Sequence, residues 1–254
     1  MDCMSAGKTN IVTRSIHIST EFQEHMDRMS ASKAYRLFWL GRYYERVATT
    51  LTYLWSWYDR IIDGESPDYA VFCNALDISC NYETAEEFMQ DYVFDGQNPE
   101  SLRTAAGIML GNGMMLRETI GSRTLSYLEL AVNAMESGVG SNTPTLPLQR
   151  TIDYIMAFRG CYDDCIEDRN VRNILKCGAG IERLSLFLRL GWRLEHVFME
   201  TERLLCRIER TSLKYSPDSL RILEALPPVI SEGERQSILA IAEKYGYQQD
   251  VSVV

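Results

Sequence analysis

No stretch of the chain approaches the roughly 20 consecutive apolar residues that a membrane-spanning helix needs. No run of alternating β-branched residues is bounded by turn dipeptides either, so helix is the regular element with a signal and an all-α fold is the expectation. The opening residues, MDCMSAGKTNIVTRS, lack the apolar centre of a secretory signal, which points to the cytoplasm. Positive charge is short as well. With 26 Lys+Arg against 35 Asp+Glu the formal net charge is -9, which sets the chain as a whole against phosphate backbones and anionic lipid, so neither nucleic acid nor membrane is the expected partner. Histidine is scarce: His17, His25 and His196 never fall in a Glu-x-x-His pattern, and a di-iron carboxylate bundle has no support. The seven cysteines, Cys3, Cys73, Cys80, Cys161, Cys165, Cys177 and Cys206, are odd in number and sit in apolar helical text, which reads as reduced thiols rather than a disulfide framework.

What is present is helical periodicity. In 254 residues, 46% of them hydrophobic, there is enough apolar surface for one sizeable core or two small ones. Leu37, Leu40, Tyr44, Val47, Leu51, Leu54, Tyr58 and Ile61 recur at steps of three and four, predicting a long helix from Ser30 or Ser32 to Asp63, stopped at Gly64. Shorter helices are expected after Ser66-Pro67, Thr84 and Asn98-Pro99, with another capped by Ser122. The segment Glu136 to Pro147, rich in Gly, Ser, Asn and Pro, is the linker candidate. Beyond it, helices are expected over 148–166, from Asn170 to about Thr211, from Pro217 to Leu226 and from Ser231 to Tyr245. The expected architecture is a bundle with two long central helices in pseudo-repeated halves, about 29–136 and 148–254, forming one domain behind an N-terminal extension, 1–28.

The halves share one motif. Glu45-Arg46 in LGRYYERVATTL and Glu182-Arg183 in CGAGIERLSLFL each follow a glycine by four residues, Gly41 and Gly178, in apolar surroundings. Ionised groups on apolar helices need partner charges, and guanidinium forks suit carboxylates, so the two helices are expected to pack with Glu45 facing Arg183 and Glu182 facing Arg46. In the alternative, these groups and Arg42 line a polar pocket for a carboxylate, phosphate or amine, with one glutamate raised in pKa as a proton acceptor.

Other motifs carry less. Ser5-Ala6-Gly7-Lys8-Thr9 ends like a phosphate-binding loop, but its first glycine is replaced by Asp2 and no strand precedes it. Cys161 and Cys165, one helical turn apart among Asp163, Asp164, Glu167 and Asp168, read as helix-packing thiols beside an acidic helix end, and no metal or cofactor is expected. Arg189, Arg193, His196, Glu200, Arg203, Arg207 and Arg210 fall at steps of three and four and would share one face of a continuous helix. Such a face is solvated or, through Arg189, Arg193, Arg203 and Arg207, a docking stripe for an acidic partner or polyphosphate. Gly107, Gly111 and Gly113 suggest a close helix crossing.

The segment AYRLFWLGRYYERVATTL resembles the opening helix of the Alpha-E family, a bacterial all-helical domain named for its Glu-Arg motif. DGQNPESL at 95–102, LRETIGS at 116–122 and Ile181-Glu182-Arg183 resemble later parts of the family in order and spacing, over roughly residues 29–215. The chain departs from the family at Ala179, where an arginine is usual, and at Gly111-Asn112, where Glu-Asn is usual. The family has no established activity, and its members are often encoded beside, or fused to, ATP-grasp-like peptide ligases and transglutaminase-like proteins. The resemblance implies a non-catalytic partner or scaffold of such a system, with an enzyme or small-molecule-binding protein as the competing reading; self-association into a homo-oligomer is compatible with either.

Overall fold

Ser30 opens the first helix: its Oγ accepts the Lys33 N–H at 3.2 Å, and the helix then runs from Ala31 to Ile62. Leu37, Leu40, Tyr44, Val47, Leu51 and Leu54, the apolar stripe read from the sequence, are all buried. The computed structural model describes residues 29–62, 68–141 and 144–244, which form eleven α-helices and no strand. After α1 (Ala31–Ile62) come α2 (Tyr69–Leu76), α3 (Ala85–Phe88) with a π-helical turn at Met89–Phe94, α4 (Leu102–Met115), α5 (Arg117–Ile120) and α6 (Ser122–Glu136). The second part holds α7 (Thr145–Cys165), α8 (Arg169–Leu190), a 3-10 turn at Leu194–His196, α9 (Val197–Ile208), α10 (Pro217–Glu224) and α11 (Glu232–Lys244).

The core is the crossing of α1 with α8, around which the other helices wrap. The helix α8 is buried without a break from Cys177 to Leu188, which a helix manages only when neighbours cover it on every side. These neighbours are α1, α9, α11 and α2; α4 and α7 pack on α1, and α6 packs on both α4 and α7. Tyr53, Trp57, Phe72, Phe88 and Tyr92 form a continuous aromatic cluster linking α1, α2, α3 and the π-helical turn. No helix among the described residues is long and apolar enough to cross a membrane.

Several boundaries differ from the sequence reading. The helix expected from Asn170 to Thr211 is two helices. Gly191, at φ 60°, ends α8 in the left-handed conformation, and Trp192 N–H returns to Phe187 O at 3.0 Å. Apolar periodicity continues past this stop and conceals it. The helix expected after Asn98-Pro99 begins three residues later, because Ser101 rather than Asn98 accepts the capping N–H, from Thr104 at 3.0 Å. Ser122 is the first residue of α6, not its cap; that position belongs to Gly121, whose φ of 79° few other residues adopt. Thr84 does cap α3, accepting from Glu87 N–H. Of the glycine cluster only Gly113 meets a neighbour closely, the Leu128 side chain of α6, while Gly107 and Gly111 are exposed. The extension 1–28 with its phosphate-loop-like segment, His17 and His25, the stop at Gly64, Ser66-Pro67 and residues 245–254 lie outside the described residues.

Candidate functional site

Gly41 and Gly178 make the crossing possible. A Cβ at Gly41 would stand 2.0 Å from the Leu175 carbonyl oxygen, and a Cβ at Gly178 would stand 2.0 Å from that of Phe38. Each glycine therefore receives the backbone of the other helix three residues before the other glycine, a reciprocal contact that no side chain can enter. Contacts advance together along α1 and α8, from Phe38 with Gly178 to Glu45 with Arg183, so the helices run in the same direction through the crossing.

One turn further on, the charges meet in the reciprocal pattern. Arg183 holds Glu45 as a fork, Nε to Oε1 at 2.7 Å and Nη2 to Oε2 at 2.6 Å, while Arg46 Nε reaches Glu182 Oε1 at 2.6 Å. The pattern is not symmetric beyond that. Glu182 Oε2 takes a second guanidinium, Arg42 Nε at 2.7 Å, whereas Ala179 on α8 offers nothing to Glu45, which accepts the Thr49 hydroxyl at 2.7 Å instead. Arg42 also donates to the Ala242 carbonyl of α11 and lies against Trp39, 5.1 Å from the ring centroid. Arg183 passes the network on to Glu200 on α9 at 2.8 Å, and Glu200 in turn holds Arg203 at 2.6 Å.

Burial and charge act against each other here, and charge wins. Burial alone would raise the Glu182 carboxyl, but the Arg46 and Arg42 guanidiniums bring it down to about 2. Burial likewise opposes a low value at Glu200, yet Arg183 and Arg203 lower it. Arg46 is raised by the Glu182 charge; Arg183 is raised by Glu45 and Glu200 against the cost of its own burial. The raised glutamate of the alternative sequence reading is thus not found at Glu182: two guanidiniums outweigh its desolvation. Side by side with the network, Tyr44 and Tyr162 share a buried O–H···O contact at 3.2 Å, and burial pushes the Tyr44 phenol well above its usual value.

Each bridge also closes the floor of a cleft. Arg42, Arg46 and Glu182 line one of about 560 Å³, walled by α2, α4 and α11, and Glu45, Arg183 and Glu200 line another of about 490 Å³, walled by α7 and α9. Arg46 is the most open member of the motif, its side chain 37% exposed against 3–10% for Glu45, Glu182 and Arg183. A third cleft of about 860 Å³, lined by Glu87, Asp91, Asp95 and Glu100, does not include the motif. Among the described residues no group of three His, Cys, Asp or Glu side chains is placed to hold a metal ion. Cys161 Sγ lies 3.4 Å from Cys165 Sγ and 3.5 Å from the Thr124 hydroxyl, packing α7 against α6.

The stripe expected on a continuous helix is dispersed by the break at Gly191. Arg189, on α8, pairs with Glu243 of α11 at 2.6 Å; Arg193 sits in the turn at φ 53°; Arg203 and Arg207 belong to α9. They do not form a single docking face. The sequence reading placed Glu200 in that stripe and missed its place in the Arg183 network; its buried side chain amid surface charges is a signal that only the tertiary structure supplies.

A family described as a predicted alpha-helical domain with a conserved ER motif, Alpha-E, matches residues 29–210, most of the chain. The chain belongs to the Alpha-E family. In this Alpha-E chain the matched segment runs from the residue before the Ser30 cap to the end of α9, and so contains both Glu-Arg pairs and their crossing; α10 and α11 lie beyond it. No curated protein and no solved structure matches the chain.

Proposed function

We propose that this Alpha-E chain is a non-catalytic helical partner of a bacterial, cytoplasmic amide-bond-forming system, an ATP-grasp-type peptide ligase or a transglutaminase-like protein. The occupancy of the motif carboxylates carries the non-catalytic part. Both oxygens of Glu45, of Glu182 and of Glu200 accept bonds from arginine, and Glu182 is held ionised far below neutral pH, which makes it a weak proton acceptor. A general base needs a lone pair aimed at substrate; here every carboxylate oxygen of the three is engaged by a guanidinium. The association with ligase-like and transglutaminase-like proteins that the family resemblance implies supports the choice of partner. Reciprocity at Gly41 and Gly178 is in keeping with an internal duplication that built a rigid two-helix core.

Affinity purification of the tagged chain from native lysate, followed by mass spectrometry, tests the reading. A stoichiometric ligase-like or transglutaminase-like protein is the expected result. A chain that returns alone, or that turns over a substrate by itself and loses that activity in Glu182→Gln, overturns it.

A further inference from the structure

The cleft above the Glu45–Arg183 bridge opposes the charge of the molecule that contains it. Arginines from four separate elements line it: Arg159 of α7, Arg183 of α8, Arg193 of the turn and Arg203 of α9, against two carboxylates, Glu45 and Glu200. Four guanidiniums less two carboxylates leave an excess of two positive charges, in a chain whose formal net charge is -9. The cleft on the opposite side of the crossing has three arginines, Arg42, Arg46 and Arg189, against Asp77, Glu100, Glu182 and Glu243. The third cleft has four acidic residues and no basic one. Of the three clefts, this one alone carries an excess of positive charge.

The two carboxylates of the positive cleft are already engaged by Arg183 and Arg203. Arg159 has no carboxylate partner among the described residues, and Arg193 rests its guanidinium on the Trp192 ring, 4.4 Å from the centroid. Arg193 holds a left-handed backbone, unfavourable for a residue with a side chain, and Trp192 fixes the turn by edge contacts with Tyr53 and Phe187. The turn that breaks α8 from α9 thus delivers a cation to the cleft mouth. Ile155, Met156, Phe187 and Met199 supply apolar lining to the same cleft.

We propose that this cleft binds a small organic phosphate, its phosphoryl group between Arg159, Arg193 and Arg203 and its organic portion against Met156, Phe187 and Trp192. A planar monoanionic carboxylate is satisfied by a single guanidinium fork. Guanidiniums brought to one cleft from two helices and a turn, with two charges to spare, match a tetrahedral dianion. A volume of about 490 Å³ is in the range of small-molecule sites. The inference does not depend on the partner reading, because Arg159 and Arg193, the two arginines whose charge is to spare, lie outside the Glu-Arg network that Arg203 joins through Glu200.

Isothermal titration of the full chain with phenyl phosphate tests it, with benzoate as the carboxylate that carries the same ring. Saturable binding of one equivalent is expected, with benzoate weaker by about tenfold or more. Arg159→Gln and Arg193→Gln should each weaken phenyl phosphate by about tenfold, since each removes a charge-assisted contact from an exposed, unbridged side chain. Arg221→Gln on α10, which removes the same charge outside the cleft, should leave it unchanged. Absence of saturable binding, benzoate binding as tightly as phenyl phosphate, or full affinity in the Arg159→Gln/Arg193→Gln double variant overturns the proposal.

Discussion

Arg183 grips Glu45 with two parallel bonds of 2.7 and 2.6 Å although the residues are 138 positions apart in sequence. Both side chains are almost wholly buried; losing Arg183 strands Glu45 without a cation, whereas losing Glu45 leaves Arg183 paired with Glu200 alone.

Arg183→Met is expected to cost about 3–5 kcal/mol, because Glu45 then remains as an uncompensated charge in the core, and Glu45→Gln should cost less, because Glu200 still pairs with Arg183. Replacing both residues by leucine should cost much less than the two single changes together. Chemical denaturation of the three variants checks this, and additive losses would show that the bridge holds no coupling energy.

Glycine substitutions should divide by position. Gly41→Ala and Gly178→Ala drive a methyl group into a carbonyl oxygen of the facing helix and should each cost about 3 kcal/mol or more, or prevent folding. Gly111→Ala meets nothing within 4 Å and should gain roughly 0.5–1 kcal/mol from better helix propensity. Thermal melts of the three proteins decide it; a tolerated Gly178→Ala would contradict the close crossing.

Acid sensitivity follows from Glu182. Its folded value of about 2 lies below the ordinary 4.5, so its contribution is fully present above about 4.5 and is lost as pH falls through 2. A shift of that size corresponds to about 3 kcal/mol. The lowered Glu200 works in the same direction. Glu182→Gln should be less stable at neutral pH and show a flatter stability profile between pH 4.5 and 2 than the wild type; parallel profiles would remove Glu182 as the cause.

Thr50 is fully buried in the wall of the cleft over Glu182, and its hydroxyl has no hydrogen-bond partner among the described residues. Thr50→Val keeps the shape and removes a desolvated hydroxyl, so it should stabilise by about 1 kcal/mol, read from the denaturation midpoint. A loss of stability would mean that the hydroxyl has a partner.

The start of the first helix was legible because Ser30 is a strong cap, and its body because its apolar stripe repeats without interruption over many turns. The Glu-Arg pairing was legible for a different reason: four charges in apolar text have few ways to be satisfied. Gly191 escaped notice because the residues after it continue the helical period, and periodicity records which side faces the core, not whether the chain turns. The same blindness dispersed the arginine stripe and hid Glu200. Ser101 was overshadowed by Asn98-Pro99, whose cap-like appearance serves a turn; Asn98 Oδ1 accepts the Glu100 N–H there. Both clefts depend on helices distant in sequence, and no local pattern announces them.

The partners of the Arg183–Glu45 bridge are also separated in time. A ribosome adds roughly 5–20 residues per second, so Glu45 is joined to the chain roughly 7 to 28 s before Arg183, 138 positions later. Over that interval the newborn helix presents an apolar stripe interrupted by a hydrated carboxylate. The charge that later fastens the two helices together first works as a deterrent, penalising any premature partner that buries α1 without bringing an arginine.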